Sequence, residues 1–217
     1  MNIEQARFNM IEQQIRPWDV LDASVLKLLS VVKREDFVPE AYRSLAFVDM
    51  EIPLANGQVM LAPRVEARLL QDLAIQKHEK VLEIGTGSGY MAALLAHRAQ
   101  RVVTLEINED LASSARTHLQ KAGIHNVDVK VADGSSYVAV EGPFDVILLS
   151  GSVAEVPQAL LAQLKVGGRL AVIIGDEPTM CASFFERSGD TDWRSTTPWD
   201  TVAPRLQNFP TPSRFKF

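Results

Sequence analysis

The sequence predicts an α/β protein: a doubly wound, mostly parallel sheet with an N-terminal helical cap and a C-terminal edge hairpin. Two observations carry the sheet. Five short runs from Lys80 onward, "KVLEIG", "RVVTLEI", "VDVKVAD", "FDVILLS" and "GRLAVIIG", are β-branched and apolar almost throughout, as strands buried on both faces are. Helical patterns at 88–98, 108–122 and 155–164 alternate with them, and such alternation builds a parallel sheet with helices on both faces. A third observation sets the cap apart: before Lys80 no comparable strand run occurs.

Ile3, Ala6, Met10, Ile11 and Ile15 recur at helical spacing, so residues 3–15 are expected to form an amphipathic helix that Pro17 stops. Asp22 is the expected N-cap of a second helix that buries Val25, Leu28, Leu29 and Val32. Residues 39–63 are irregular and rich in turn formers. Pro63 suits the first turn of a third helix, with Val65, Leu69, Leu70 and Leu73 facing inward. Residues 1–78 are therefore the cap, and 79–217 the sheet domain, whose α/β core covers roughly 80–175. "MCASFFER" and "DWRSTTPW", separated by Gly189, are expected to form a hairpin closing one edge. The cap bears on function, because open α/β sheets bind ligands beyond the carboxyl ends of their strands.

A chain of 217 residues, 47% hydrophobic and 23% charged, can bury one substantial core. No apolar run approaches the ~20 residues of a membrane span, and the N-terminus lacks a signal peptide's apolar centre. The single cysteine, Cys181, excludes an internal disulfide and fits a reducing compartment; a cytoplasmic protein is expected. A net charge of -5 lacks the footprint of a nucleic-acid binder. The basic tail, with Arg205, Arg214 and Lys216 among Phe209, Phe215 and Phe217, is expected to fold its aromatics onto the body. His78, His97, His118 and His125 show no metal-ligand spacing, so no metal site is expected. Cys181 reads as a packed core thiol, and Trp18, Trp193 and Trp199 as packing residues. Oligomeric state stays open.

The strongest motif is "VLEIGTGSGY", residues 81–90: strand, glycine-rich turn, helix. Gly85, Gly87 and Gly89 let the backbone turn tightly and approach a ligand. Tyr90 occupies the sixth position, where a dinucleotide fingerprint wants a small residue, and no Gly-Lys-Ser/Thr of a P-loop follows. Glu83 would repel a pyrophosphate but suits a ligand carrying an ammonium and a sulfonium. Glu106 ends the second strand, where a carboxylate accepts ribose hydroxyls, and Asp133 follows the third, placed to accept from an adenine amino group. Together these acids point to S-adenosylmethionine.

Over nearly its whole length the chain resembles the protein-L-isoaspartate O-methyltransferase family. The matching stretches are "MIEQQIR", "REDFVPEAYRSLAF", "GQ" before "AP", "VLEIGTGSGY", "ADG", "PFDVILLS" and "VPQALLAQLKVGGRLAVIIG". The resemblance implies a class I, Rossmann-like methyltransferase sheet with a cap over the substrate, and methyl transfer to isoaspartyl carboxylates of damaged proteins, with a peptide or protein as partner. It implies cofactor contacts at Gly85, Gly87, Gly89, Glu106, Asp133 and Gly134; Thr86, Ser88 and Ile107, in the same segments, complete the expected set with Glu83.

The chain departs from the family at "GQVMLAP", residues 57–63. Members typically read Gly-Gln-Thr-Ile-Ser there, so Val59 stands for the threonine and Leu61 for the serine regarded as the active-site residue. Asp49, in "FVDMEIPL", matches an acid of the family loop. Methylating a carboxylate needs no general base, since a group of pKa near 4 is already ionised. Lost hydroxyls therefore remove orientation rather than activation. Two other readings stay open: a diverged methyltransferase with another acceptor, or a non-catalytic module that binds S-adenosylmethionine.

Overall fold

The computed structural model describes residues 2–136 and 141–211; Arg214, Phe215, Lys216 and Phe217 of the basic tail lie outside them. The first expected helix is composite: α1 (Ile3–Asn9) passes into a π-helical turn at Met10–Ile15 and a 3₁₀ turn at Arg16–Trp18. Pro17 therefore sits inside the last turn, and the chain leaves it through Asp19 in the left-handed region. Met10, Ile11 and Ile15 are buried. Helix α2 (Ala23–Val31) is capped as expected, with the Asp22 carboxylate accepting from the amides of Ser24 and Val25. Helix α3 (Pro63–Leu73) opens on its proline and buries Val65, Leu69, Leu70 and Leu73. Each of those side chains contributes roughly 1.5–3 kcal/mol.

Residues 52–60, read from the sequence as irregular, form a small hairpin. β1 (Ile52–Pro53) pairs antiparallel with β2 (Val59–Met60). The connection turns through Asn56 (φ 57°) and Gly57 (φ 68°), the two successive left-handed residues of a type I′ turn. The Asn-Gly dipeptide was the available signal for it.

Seven strands form the main sheet, in the order β5 (Val127–Val131), β4 (Arg101–Glu106), β3 (Lys80–Ile84), β6 (Phe144–Val153), β7 (Leu164–Asp176), β8 (Thr179–Arg187), β9 (Trp193–Asp200). The first five are mutually parallel, and β8 and β9 add the expected antiparallel edge hairpin. Strand order reverses at β3, whose neighbours are β4 and β6. That reversal opens the crevice in which such sheets bind ligands. Helices α4 (Tyr90–Arg98) and α5 (Glu109–Lys121) pack on one face, and α6, only Gln158–Leu161, lies against the other.

The cap has no core of its own. One continuous apolar cluster joins Met10, Leu29, Ile52 and Leu70 to Tyr90, Val102, Val146 and Ile173. The opposite face holds a second cluster around Leu82, Ile147 and Leu170, and there Phe209 does fold back onto the body. Cys181 is half-buried on the edge hairpin, near the Ile174 carbonyl, rather than in the core. Each tryptophan supports a cation rather than simply filling space: Arg64 lies 4.2 Å from the Trp18 ring centroid, Arg68 4.9 Å from Trp199 and Arg187 5.3 Å from Trp193. No helix among the described residues is long and apolar enough to cross a membrane, and no metal-ligand cluster occurs among them.

Inside the sheet, burial pushes the Glu83 carboxyl up to about 8 from an ordinary 4.5; its bonds from Thr104 and Ser150 only partly oppose this, and Glu66 and Glu106 push it further up. The unfolded chain thus releases this proton near 4.5 while the folded chain keeps it to about 8, so rising pH across that window favours unfolding. Glu83→Gln, which cannot ionise, should flatten the fall in thermal midpoint between pH 5 and about 8.5. An identical pH profile in the variant would show that Glu83 titrates normally in the folded protein.

Candidate functional site

After β3 the chain wraps over the end of β4. Gly85 and Thr86 both donate to the Leu105 carbonyl, at 2.9 and 3.2 Å. This brings the Gly87 amide onto Glu106 Oε2 at 2.8 Å, while Glu106 Oε1 accepts from the Asn108 amide at 3.1 Å. Gly87 adopts φ 52° and Gly89 φ 87°, and a Cβ on Gly89 would lie 3.2 Å from Ala115, so helix α5 passes directly behind it. The Glu106 side chain is thereby fixed at both oxygens, with lone pairs left for a ligand.

A cleft of about 60 Å³ collects Gly85, Gly87, Glu106, Ile107, Asp133 and Gly134, six of the residues expected from sequence, and Val59 from the hairpin. Asp133 Oδ1 accepts from the Ser135 amide at 2.9 Å. Its Oδ2 accepts from the Asn208 side-chain amide at 2.7 Å. Burial acts to raise this carboxyl, but the bonds from Ser135 and Asn208 outweigh it and hold the group below its ordinary range.

Four expected cofactor residues lie elsewhere. Glu83 is wholly buried behind the loop, its oxygens accepting from the hydroxyls of Thr104 (2.7 Å) and Ser150 (2.8 Å). It does not line the cleft, and through Thr104 and Ser150 it ties β3, β4 and β6 together. Thr86 and Ser88 are also buried, Thr86 bonded to Thr104 and Ser88 turned toward the start of α4, and Gly89 caps that helix. They shape the loop and do not line the cleft.

Sequence reasoning missed the segment after β9. Pro204 and Leu206 bond to both sides of Ser152, Leu206 packs over Gly85 and Gly151, and Gln207 and Phe209 close the cleft wall. Only the folding-back of Phe209 hinted at this.

The hairpin stands between this cleft and a second, larger cavity of about 420 Å³. Val59 lines the first; Leu61, two residues on, lines the second together with Asp49, Arg64 and Arg68. Asp49 secures the start of α3: it accepts from the Arg64 amide at 3.2 Å and pairs with its guanidinium at 3.0 Å. Gln14, from the "MIEQQIR" stretch, holds the preceding segment through the Phe47 carbonyl (3.1 Å) and the Asp49 amide (2.8 Å). Arg34, from "REDF", is wholly buried, pairs with Glu66 and donates to the Leu61 carbonyl at 2.7 Å. The two cap motifs thus act as clamps on the hairpin and its flanks.

A glycine loop at the strand reversal, with acids closing two successive parallel strands over one cleft, defines the Rossmann-like architecture of class I methyltransferases. The family described as protein-L-isoaspartate(D-aspartate) O-methyltransferase (PCMT) matches residues 5–201. Protein-L-isoaspartate O-methyltransferase 1 of Syntrophobacter fumaroxidans is 44% identical, over 81% of this chain and 82% of its own length. The Koribacter versatilis protein-L-isoaspartate O-methyltransferase is 41% identical, over 83% and 81%. In fold, the Plasmodium falciparum β-aspartate methyltransferase, solved with S-adenosyl-L-homocysteine, superposes with a TM-score of 0.80 at 19% identity, covering 95% of this chain and 99% of that one. The chain belongs to the protein-L-isoaspartate(D-aspartate) O-methyltransferase family, and is a methyltransferase by class.

Replacing Arg34 by methionine leaves Glu66 buried without its partner and should cost about 3–5 kcal/mol in denaturant unfolding. Arg34→Met with Glu66→Leu should recover most of that, yet amide exchange across 58–62 should remain fast, because the Leu61 carbonyl has lost its donor. Native protection of the loop in the double variant would show that Arg34 does not hold it.

Proposed function

We propose that this chain transfers the methyl group of S-adenosylmethionine to a carboxylate of a damaged protein or peptide, in the cytoplasm, and does so without a hydroxyl in the active-site loop. The observation that carries the reading is the convergence of Glu106 and Asp133, from the ends of two adjacent strands, on the cleft of the glycine loop. The donor set fits the cofactor. Glu106, pinned by two amides, suits the ribose hydroxyls; Asp133 suits an adenine amino group, and already binds a neutral amide N–H₂ from Asn208 in that manner. The backbone of Gly85 and Gly87 offers close approach. Leu206, Gln207 and Phe209 wall the cleft, and neighbouring Asn208 occupies one oxygen of Asp133.

Bound S-adenosylmethionine supplies an electrophilic methyl on a positively charged sulfur. An acceptor carboxylate is already ionised at pH 7, so no residue of this chain needs to act as its base. The protein's work is therefore to align the carboxylate and exclude water. Val59 and Leu61 give an apolar wall between the two cavities, which excludes water well and orients a carboxylate poorly.

Three outcomes are expected. Glu106→Ala should weaken S-adenosylhomocysteine binding in calorimetry by about 1–3 kcal/mol, for loss of charge-assisted hydrogen bonds. Asn208→Ala should instead strengthen it several-fold by freeing Asp133; weaker binding would make Asn208 part of the ligand's wall. Val59→Thr with Leu61→Ser should raise labelled-methyl transfer to isoaspartyl peptides by roughly tenfold to a hundredfold, one restored orienting bond, with little change in cofactor affinity. Tighter binding of NAD than of S-adenosylmethionine would overturn the cofactor reading. A wild-type protein that methylates extract proteins but no isoaspartyl peptide would point to another acceptor.

A further inference from the structure

The 420 Å³ cavity lies beside the cofactor cleft, beyond the carboxyl end of β7, where Pro178 and Met180 form part of its wall. Its volume is that of a small-molecule or short peptide site. Of the two arginines that line it, Arg64 is paired with Asp49 at 3.0 Å and lies over the Trp18 ring. Arg68 is different. Its side chain is 18% exposed and, among the described residues, its buried Nε has no hydrogen-bond partner and its carboxylate contact, to solvent-exposed Asp19, is a loose 3.9 Å. The guanidinium is nevertheless held in place, stacked on Trp199, whose indole nitrogen donates to Asp72 at 2.8 Å. Lining the cavity and held there by the ring, this guanidinium has no close carboxylate partner among the described residues, so a carboxylate entering the cavity can pair with its terminal nitrogens.

We propose that this cavity is the acceptor site and that Arg68 receives the acceptor's carboxylate, replacing by charge the orientation that a hydroxyl at Leu61 would have given. This rests on the carboxylate-methylation reading above. A guanidinium fork fixes a carboxylate by charge-assisted bonds to its oxygens, each of which keeps a lone pair free to react. The cavity also contains Glu51 and Asp200, so it suits a single carboxylate on a peptide rather than a polyanion. Leu61, Val65 and Met180 supply the apolar walls for flanking residues.

The test measures binding of a fluorescent isoaspartyl peptide to protein saturated with S-adenosylhomocysteine, against the same peptide carrying isoasparagine. Wild type should prefer the carboxylate by tenfold or more. Arg68→Gln should abolish that preference, and Arg68→Lys should restore part of it. S-adenosylhomocysteine affinity should be unchanged in both, and thermal melts confirm folding; should the glutamine variant not fold, the lysine variant must still bind more weakly than wild type. Undiminished carboxylate preference in Arg68→Gln, or no preference in wild type, would overturn the assignment. Methyl transfer is followed in parallel. Carboxylate-selective binding that depends on Arg68, without transfer, would sink the catalytic reading and leave the site standing.

Discussion

A guanidinium that never meets water ties the segments of the cap to one another and meets the sheet domain at Tyr90. Arg34 is wholly buried between the cap and the helix face of the sheet, where it pairs with Glu66, donates to the Leu61 carbonyl and lies 5.0 Å from the Tyr90 ring centroid. Each partner belongs to a different element: the start of α3, the end of the hairpin, and the first residue of α4. Taking a charge this far from water costs several kcal/mol, offset here by Glu66 and the Leu61 carbonyl although Nε has no partner, so losing either one is costly. The arrangement is therefore nearly all-or-none. Arg34, Glu66 and Leu61 all belong to the cap, so the pair fixes the path of the loop within the cap, and the contact of Arg34 with Tyr90 relates that path to the sheet domain.

The donor half is held by different means. Its geometry comes from backbone: the amides of Gly85 and Thr86 on the Leu105 carbonyl, and the Gly87 amide on Glu106. Glu83, Thr104, Thr86 and Ser150 form a buried polar network beneath that loop and tie β3, β4 and β6 together. A carboxyl pushed to about 8 suits this place, because in its neutral form it exchanges hydrogen bonds with the hydroxyls without burying a charge. The acid that looked, from sequence, like a counter-ion for the ligand is instead part of the loop's foundation.

The fold was legible because its signals are periodic and local. The apolar runs of β3 to β7, the Asp22 cap and the opening of α3 at Pro63 each need only a few neighbouring residues to be read. Strand ends dictate position at Glu106 and Asp133, and both line one cleft as the sequence suggested. The sequence misled where side-chain direction decides: Glu83 is one residue before the end of its strand and points into the sheet, and Thr86 and Ser88 turn inward within the loop. The segment around Leu206 was illegible for another reason, since it meets the cleft across long sequence separations that leave no local pattern. The arginine–tryptophan stacks escaped notice for the same reason, Arg68 and Trp199 being joined only by tertiary structure.

The two halves of the site tolerate change differently, and this explains how a chain can keep one and alter the other. The donor cleft is defined by main-chain direction at glycines and by acids fixed at strand ends, so most substitutions there would disturb the sheet itself. The larger cavity, the proposed acceptor side, is walled by side chains of the cap and edge hairpin, Leu61, Arg64, Arg68 and Met180 among them. Exchanging a serine for leucine in that wall leaves the Leu61 carbonyl on Arg34 and the hairpin register of Ile52 on Met60 unchanged, because both depend on backbone. The hydroxyl is thus separable from the scaffold that presents it. A neighbouring charge in the same wall can take over orientation without any change in the loop's path, and the reaction, which needs alignment but no base, can proceed through either chemistry.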